Sequence, residues 1–278
     1  MFGRRALARI NLQPALSLPQ ASRLAFARTY AKGSDEVDII NIPLKSMGVL
    51  TDFYVPPKLS TVPIKAWPRV ILRSIGSFGL STYFVGKFKN DTKLKLKLVD
   101  WKELALERYV KTNKIFAAAC SQSPGQRRSY IQTQLDGIVS TEVKNSLAGR
   151  ASSFPQGARL EWNLKKIEKE PLVKIFQIIP DKDEVVAFLQ LIIKLETRQE
   201  MVVHGENVET KRTERLVTDY VVMTLNPYTD EMIFAGTIFA AGPYQKLRPQ
   251  LDGSDMRALF KFQRICADIY RSPPAQEK

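Results

Sequence analysis

The spacing of apolar residues changes once along this 278-residue chain. Upstream of Pro155 they recur at helical intervals; downstream they alternate with polar residues, the period of strands. A first helix is predicted from Pro68, which suits a first helical position, through Ile75, until Gly76 and Gly79 loosen it. Within it Val70, Ile71, Ile75 and Phe78 gather on one side, with Arg69 and Arg73 one turn apart on the other. Residues 93–98 alternate strictly, so in an extended conformation Lys93, Lys95 and Lys97 share one face. Asp100 then reads as an N-cap, with Glu103 completing a capping-box entry to a helix that runs to about Cys120. A single further helix is expected over about 126–151, with Ile131, Leu135, Ile138, Val139, Val143 and Leu147 on one stripe.

After Pro155 the alternating segments fall at 159–165, 172–179, 185–203, 210–225 and 231–241. Turns are read at Glu170-Pro171, Pro180-Asp181, His204-Gly205-Glu206-Asn207 and Asn226-Pro227-Tyr228. Consecutive strands with short connections predict an antiparallel meander. A last helix over 255–270 carries Met256, Leu259, Phe260 and Cys266. The expected class is α+β, with N-terminal helices covering one face of a curved antiparallel sheet. Upstream of the first helix, Pro43, Pro56, Pro57 and Pro63 prevent a continuous helix and predict an extended arm, parts of which dock through Ile39, Ile40, Ile42 and Phe53.

The first thirty residues hold Arg4, Arg5, Arg9, Arg23 and Arg28 and no acid. With leucines, alanines and serines between the arginines, and Arg28-Thr29-Tyr30 before Ala31, they fit a mitochondrial matrix presequence. The expected organisation is a presequence (1–30), an extended arm (31–62), one α+β binding domain (63–272) and a tail (273–278). The formal charge of +14 falls only to about +9 without the presequence arginines, which directs attention to polyanionic partners such as ribosomal RNA or acidic lipid. No uncharged stretch approaches the ~20 residues of a transmembrane helix, so membrane contact is expected to be peripheral. Cys120 and Cys266 stand singly on apolar helical patterns and read as buried hydrophobes; no metal or cofactor is expected.

His204 is the only histidine, which removes most triads and imidazole acid/base schemes. No phosphate-binding glycine loop is present. Asp219 and Glu161 lie in strand patterns where a buried acid could be tuned, Asp219 beside Tyr220 being the better candidate, but a structural hydrogen bond within the sheet is the preferred reading. No catalytic residue is assigned. Lys65, Trp67, Arg69 and Arg73 have the composition of a basic amphipathic segment lying on anionic lipid; an ordinary helix with a solvated basic edge fits the pattern equally.

Three runs carry a resemblance: residues 225–233 (Leu225-Asn226-Pro227-Tyr228 onward), Gly236-Thr237-Ile238-Phe239, and Asp268-Ile269-Tyr270-Arg271 with Ser272-Pro273-Pro274. Together with Arg159-Leu160-Glu161-Trp162, Leu189-Gln190-Leu191, Val217-Thr218-Asp219-Tyr220, Tyr54-Val55-Pro56 and Phe78-Gly79-Leu80, they resemble the fungal mitochondrial ribosome receptors of the MBA type over about 47–274. The resemblance implies a cone of helices on a curved sheet, similar to nuclear transport factor two, to the C-terminal domain of the inner-membrane import-motor tether and to the metazoan mitoribosomal tunnel-exit protein. It implies a peripheral protein on the matrix side of the inner membrane. Such a protein holds the mitochondrial large ribosomal subunit (rRNA and tunnel-exit proteins) so that its exit faces the Oxa-type insertase. On that footing the membrane contact is assigned to Lys65, Trp67, Arg69 and Arg73, meeting anionic inner-membrane lipid. The ribosome contact is assigned to Lys93, Lys95, Lys97, Arg127 and Arg128, with Lys111 and Lys114 next in line. A permanent large-subunit protein and an import-motor tether are the alternatives within this fold. A small-molecule isomerase would need a polar, acid-lined cavity, and one filled by Trp162, Leu191 and Ile193 would argue against it.

Overall fold

The computed structural model describes residues 41–205, 210–251 and 255–274; the presequence, Ile39 and Ile40, and most of the tail lie outside them. Short 3-10 turns lead into α1 (Trp67–Thr92), α2 (Leu98–Cys120), α3 (Pro124–Gln134) and α4 (Thr141–Ser152). Strands β1 (Arg159–Pro180), β2 (Val186–His204), β3 (Lys211–Leu225) and β4 (Met232–Ile238) follow, and then α5 (Met256–Ala267). The strands pair antiparallel in chain order, so the α+β class and the meander stand as expected.

Strand alternation sends Leu189, Leu191, Ile193 and Leu195 of β2, with Val221, Met223 and Phe234, to one face. There they meet Phe88 of α1, Trp101, Ala105 and Tyr109 of α2, Ile131 of α3 and Leu147 of α4. Neighbouring positions Ile192, Val222 and Ala235 face the other way, onto Val49, Phe53 and Val55 of the arm and Cys266 of α5. Helices were expected on one face only; here the arm and α5 cover the second. Gln190, fully buried, pins the arm: its amide Nε2 donates to Gly48 O (3.1 Å) and its Oε1 accepts from Leu50 N (3.1 Å). Gly236 sits at φ +144°, and a Cβ there would lie 2.6 Å from Cys266 O, so α5 crosses β4 where only glycine fits. The second face also carries ion pairs, all but Lys194–Glu196 of β2 running between strands: Lys165 and Arg212 flank Glu200, Lys169 and Lys194 flank Glu196, and Arg198 meets Glu168. The two lysines hold the Glu196 carboxyl down to about 2.

Four expectations are corrected. First, α1 continues through Gly76 and Gly79 to Thr92, because Val70, Ser77 and Phe88 bury one stripe along its length and offset the ~1 kcal/mol cost of each glycine. Second, α2 starts at Leu98 without a side-chain cap, which leaves Asp100 in the first turn, where it still favours the helix dipole. Third, the single helix over 126–151 is two, α3 and α4, broken at Gly137 (φ +69°); Val139 bridges to Phe234 and Ser140 caps α4 by accepting from Val143 N. Every member of the predicted stripe is nonetheless buried. Fourth, Glu170-Pro171 is no turn: β1 runs through it, with register shifts on either side, because an edge strand tolerates a missing N–H.

Candidate functional site

Asp219, the one acid weighed for chemistry, is tied up inside the domain. It accepts the Tyr109 hydroxyl hydrogen, so its partner comes from α2 rather than from within the sheet. Gln199 Nε2 donates to Tyr109 Oη (2.7 Å), and Trp162 Nε1 donates to Gln199 Oε1 (3.1 Å). Burial raises the Asp219 carboxyl and, more strongly, the Tyr109 hydroxyl. Trp162, Leu191 and Ile193 are buried in the same core. Glu161 is exposed on β1, 3.3 Å from His204 Nε2. Both cysteines are buried, which pushes the Cys120 thiol to about 11 and the Cys266 thiol to about 12. Among the described residues no cluster of acids, histidine and cysteines is arranged to hold a metal.

The chemistry lies on the surface instead. Along the 26 residues of α1 only Val70, Ser77 and Phe88 are buried; Phe84 and Val85 pack half-buried on the core, and much of the rest is exposed. Ile64 just before α1, and Leu72, Ile75 and Phe78 on it, are 76%, 70%, 62% and 73% exposed. The sequence grouped Val70 with Ile71, Ile75 and Phe78, but Val70 turns inward and the others outward, so a surface reading had to pick Leu72 as well. Lys65 is exposed, Trp67 is 37% exposed with Nε1 donating to Val62 O (3.1 Å), and the Arg69 guanidinium lies 5.5 Å from the Tyr244 ring centroid. Arg73 behaves differently from the other three: its Nη1 donates to the carbonyls of Pro243 and Gln245 and clasps the segment that leads to α5. Among the described residues no helix is long and apolar enough to cross a membrane.

The five ribosome residues are not one patch. Lys93, Lys95 and Lys97 are exposed, while Leu94, Leu96 and Leu98 between them pack on the core, so the shared face holds. Lys93 ends α1 in the left-handed region (φ 56°), its N–H donating to Lys89 O. Lys97 pairs with Asp230 and holds that carboxyl below its usual range. Arg128 is exposed on α3, beyond the far end of α2, which at 23 residues is about 34 Å long. Lys111 and Lys114 are exposed along α2 between the two. Arg127 is corrected: it is 2% exposed, and its guanidinium donates to Gln122 O (3.0 Å), Ala151 O (3.2 Å), Pro155 O (3.1 Å) and Phe154 O. It ties the α2–α3 corner to the end of α4 and is turned away from solvent.

One basic surface went unread in the sequence. Arg257, Lys261 and Arg264 are exposed on α5, and the signal for them was there: spacings of four and three in a helix whose apolar residues were counted and its cations were not.

The described residues form an α+β domain that leaves separate apolar and basic surfaces exposed. A sequence model of the MBA1-like protein family matches residues 33–275, and the chain belongs to that family. It is 28% identical over 239 residues, 83% of this chain and 81% of the relative, to the inner membrane mitoribosome receptor MBA1, mitochondrial, of Saccharomyces cerevisiae.

Proposed function

We propose that the protein is a peripheral receptor on the matrix side of the mitochondrial inner membrane. It holds the large ribosomal subunit by its tunnel exit so that respiratory-chain subunits are inserted, through an Oxa-type insertase, as they are made. Family membership and the relative's receptor role support this. The observation that carries the membrane half is the outward face of α1, where Leu72, Ile75 and Phe78 stand more than 60% exposed beside Lys65 and Arg69. Exposed apolar side chains of this size, gathered on one helix, mark a contact surface. A bilayer takes the apolar residues into its acyl boundary while each nearby cation adds about 1 kcal/mol at an acidic surface. On the ribosome side, Lys93, Lys95 and Arg128 are exposed to phosphate, and Lys97 would have to exchange Asp230 for it. Two modest contacts held at once give retention that neither gives alone. Action by binding, without catalysis, is supported by membership of a family whose curated relative is a receptor.

The test is to solubilise mitochondria carrying the tagged protein in mild detergent and follow it on sucrose gradients across a salt series, with carbonate extraction in parallel. Release from the large subunit at moderate salt, with carbonate-extractable membrane residence, is expected. Co-sedimentation that persists at high salt would make it a ribosomal subunit, and absence from ribosomes at every salt would remove the receptor reading.

A further inference from the structure

The outward face of α5 lines a surface groove of about 690 Å³ with Arg257, Phe260, Lys261, Arg264, Ile265 and Asp268. At 100° per residue the three cations fall within an arc of about 60°, one turn apart along the axis. The acids beside them are engaged or at the limit of pairing: Asp268 is held by Arg150 in a two-pronged pair (both 2.6 Å), Asp255 caps the helix by accepting from Arg257 N and Ala258 N, and Glu142 of α4 stands 3.9 Å from Arg264. No ion pair of Arg257 or Lys261 is found among the described residues. A second, smaller hollow on the other side of Arg264 is lined by Glu142, Asn145 and Ser146 of α4.

We infer that this α4–α5 face binds the backbone of double-helical RNA. Three cations in a row suit successive phosphates of one strand, and the forked guanidiniums of Arg257 and Arg264 match phosphate oxygens in pairs. Asn145 and Ser146, beside Arg264, offer an amide and a hydroxyl of the kind that bonds 2′-hydroxyls, a contact DNA lacks. Lipid fits this face less well. On α1 the apolar side chains stand proud at the centre of the outward face. On α5 the cations take the centre, and Phe260 and Ile265 flank them. The face also lies at the far end of α2 from Lys93, since Tyr270, just past α5, stacks on Phe116 (4.8 Å) and donates to Asn113 Oδ1 (2.7 Å). A receptor gripping RNA here keeps it away from the end of α1.

That the RNA is ribosomal rests on the receptor reading; that the face binds duplex RNA does not. The experiment uses the full chain and the variants R257E/K261E/R264E and K93E/K95E/K97E, each checked for wild-type circular dichroism. Affinity for a fluorescent RNA duplex and the same DNA duplex is measured by anisotropy across a salt series, and co-sedimentation with purified mitochondrial large subunits runs alongside. The α5 variant is expected to lose at least about tenfold in RNA affinity and to flatten the salt slope by about 3, with wild type preferring RNA. A glutamine version of the same three sites should give a smaller loss in the same direction. Unchanged RNA affinity and slope in the α5 variant would overturn the proposal. So would loss of its flotation on anionic vesicles with RNA binding intact. If wild type fails to bind large subunits, the receptor reading falls while the duplex measurement still decides this one.

Discussion

Helices α1 and α5 are both amphipathic, and they use their two sides in opposite ways. In α1 a thin stripe of Val70, Ser77 and Phe88 holds the helix to the domain, and large apolar side chains are left outside. In α5 the apolar residues Leu259 and Cys266 go in, and Arg257, Lys261 and Arg264 remain out. Amphipathic character alone therefore does not identify a partner. What stands at the centre of the outward arc does: hydrocarbon on α1, guanidinium and ammonium on α5.

The largest effect that sharpens this contrast is expected within α1 itself. Phe88→Ala should cost about 3–5 kcal/mol in urea unfolding, because a fully buried ring is removed. Phe78→Ala, ten residues earlier on the outward side, should leave stability within about 0.5 kcal/mol and weaken flotation with anionic vesicles. Equal destabilisation by the two would mean that the outward face packs on the domain after all. Next comes Arg127→Ala, which orphans several buried carbonyls and should cost about 2 kcal/mol while leaving RNA affinity of the folded protein unchanged; a selective loss of RNA affinity would return Arg127 to the contact surface. Asp255→Ala removes the oxygen that accepts from Arg257 N and Ala258 N. It should cost about 1 kcal/mol and fray the α5 end that carries Arg257, seen as faster amide exchange there than in α4. Smallest is Lys97→Ala: breaking its exposed pair with Asp230 should change stability by less than about 1 kcal/mol by thermal melting.

Strand order and the apolar stripes were legible because period two and period 3.6 survive whatever the chain packs against. The break at Gly137 was not, since Val143 and Leu147 continue the spacing of Ile131 and Leu135 across it, and only the bridge from Val139 to β4 shows why the chain turns. The strand through Pro171 was hidden for a related reason: whether a proline ends a strand depends on whether that strand is at an edge, which is a property of the sheet. At the candidate surfaces, the strict alternation of 93–98 was legible, leaving Lys93, Lys95 and Lys97 exposed while Leu94, Leu96 and Leu98 pack on the core. Composition misjudged Arg127 because the carbonyls that bury it come from as far away as Pro155. The outward residues of α1 were only half readable, since an apolar side chain in a helix points to core or to solvent according to a partner the local pattern does not name.

The arm and the C-terminal segment close the domain together. Asp52 accepts from the backbone of Gln250 and Leu251, Ala241 N donates to Val55 O, and Gly48 lies against Gln263. These contacts join positions nearly 200 residues apart in the chain. A chain that emerges amino end first has to hold its arm undocked until α5 arrives, so a late-made element completes an early one. Truncation before Met256 should therefore be felt at Val49 and Val55, and a proteolytic cut there is an early sign that the carboxyl end has not yet been delivered.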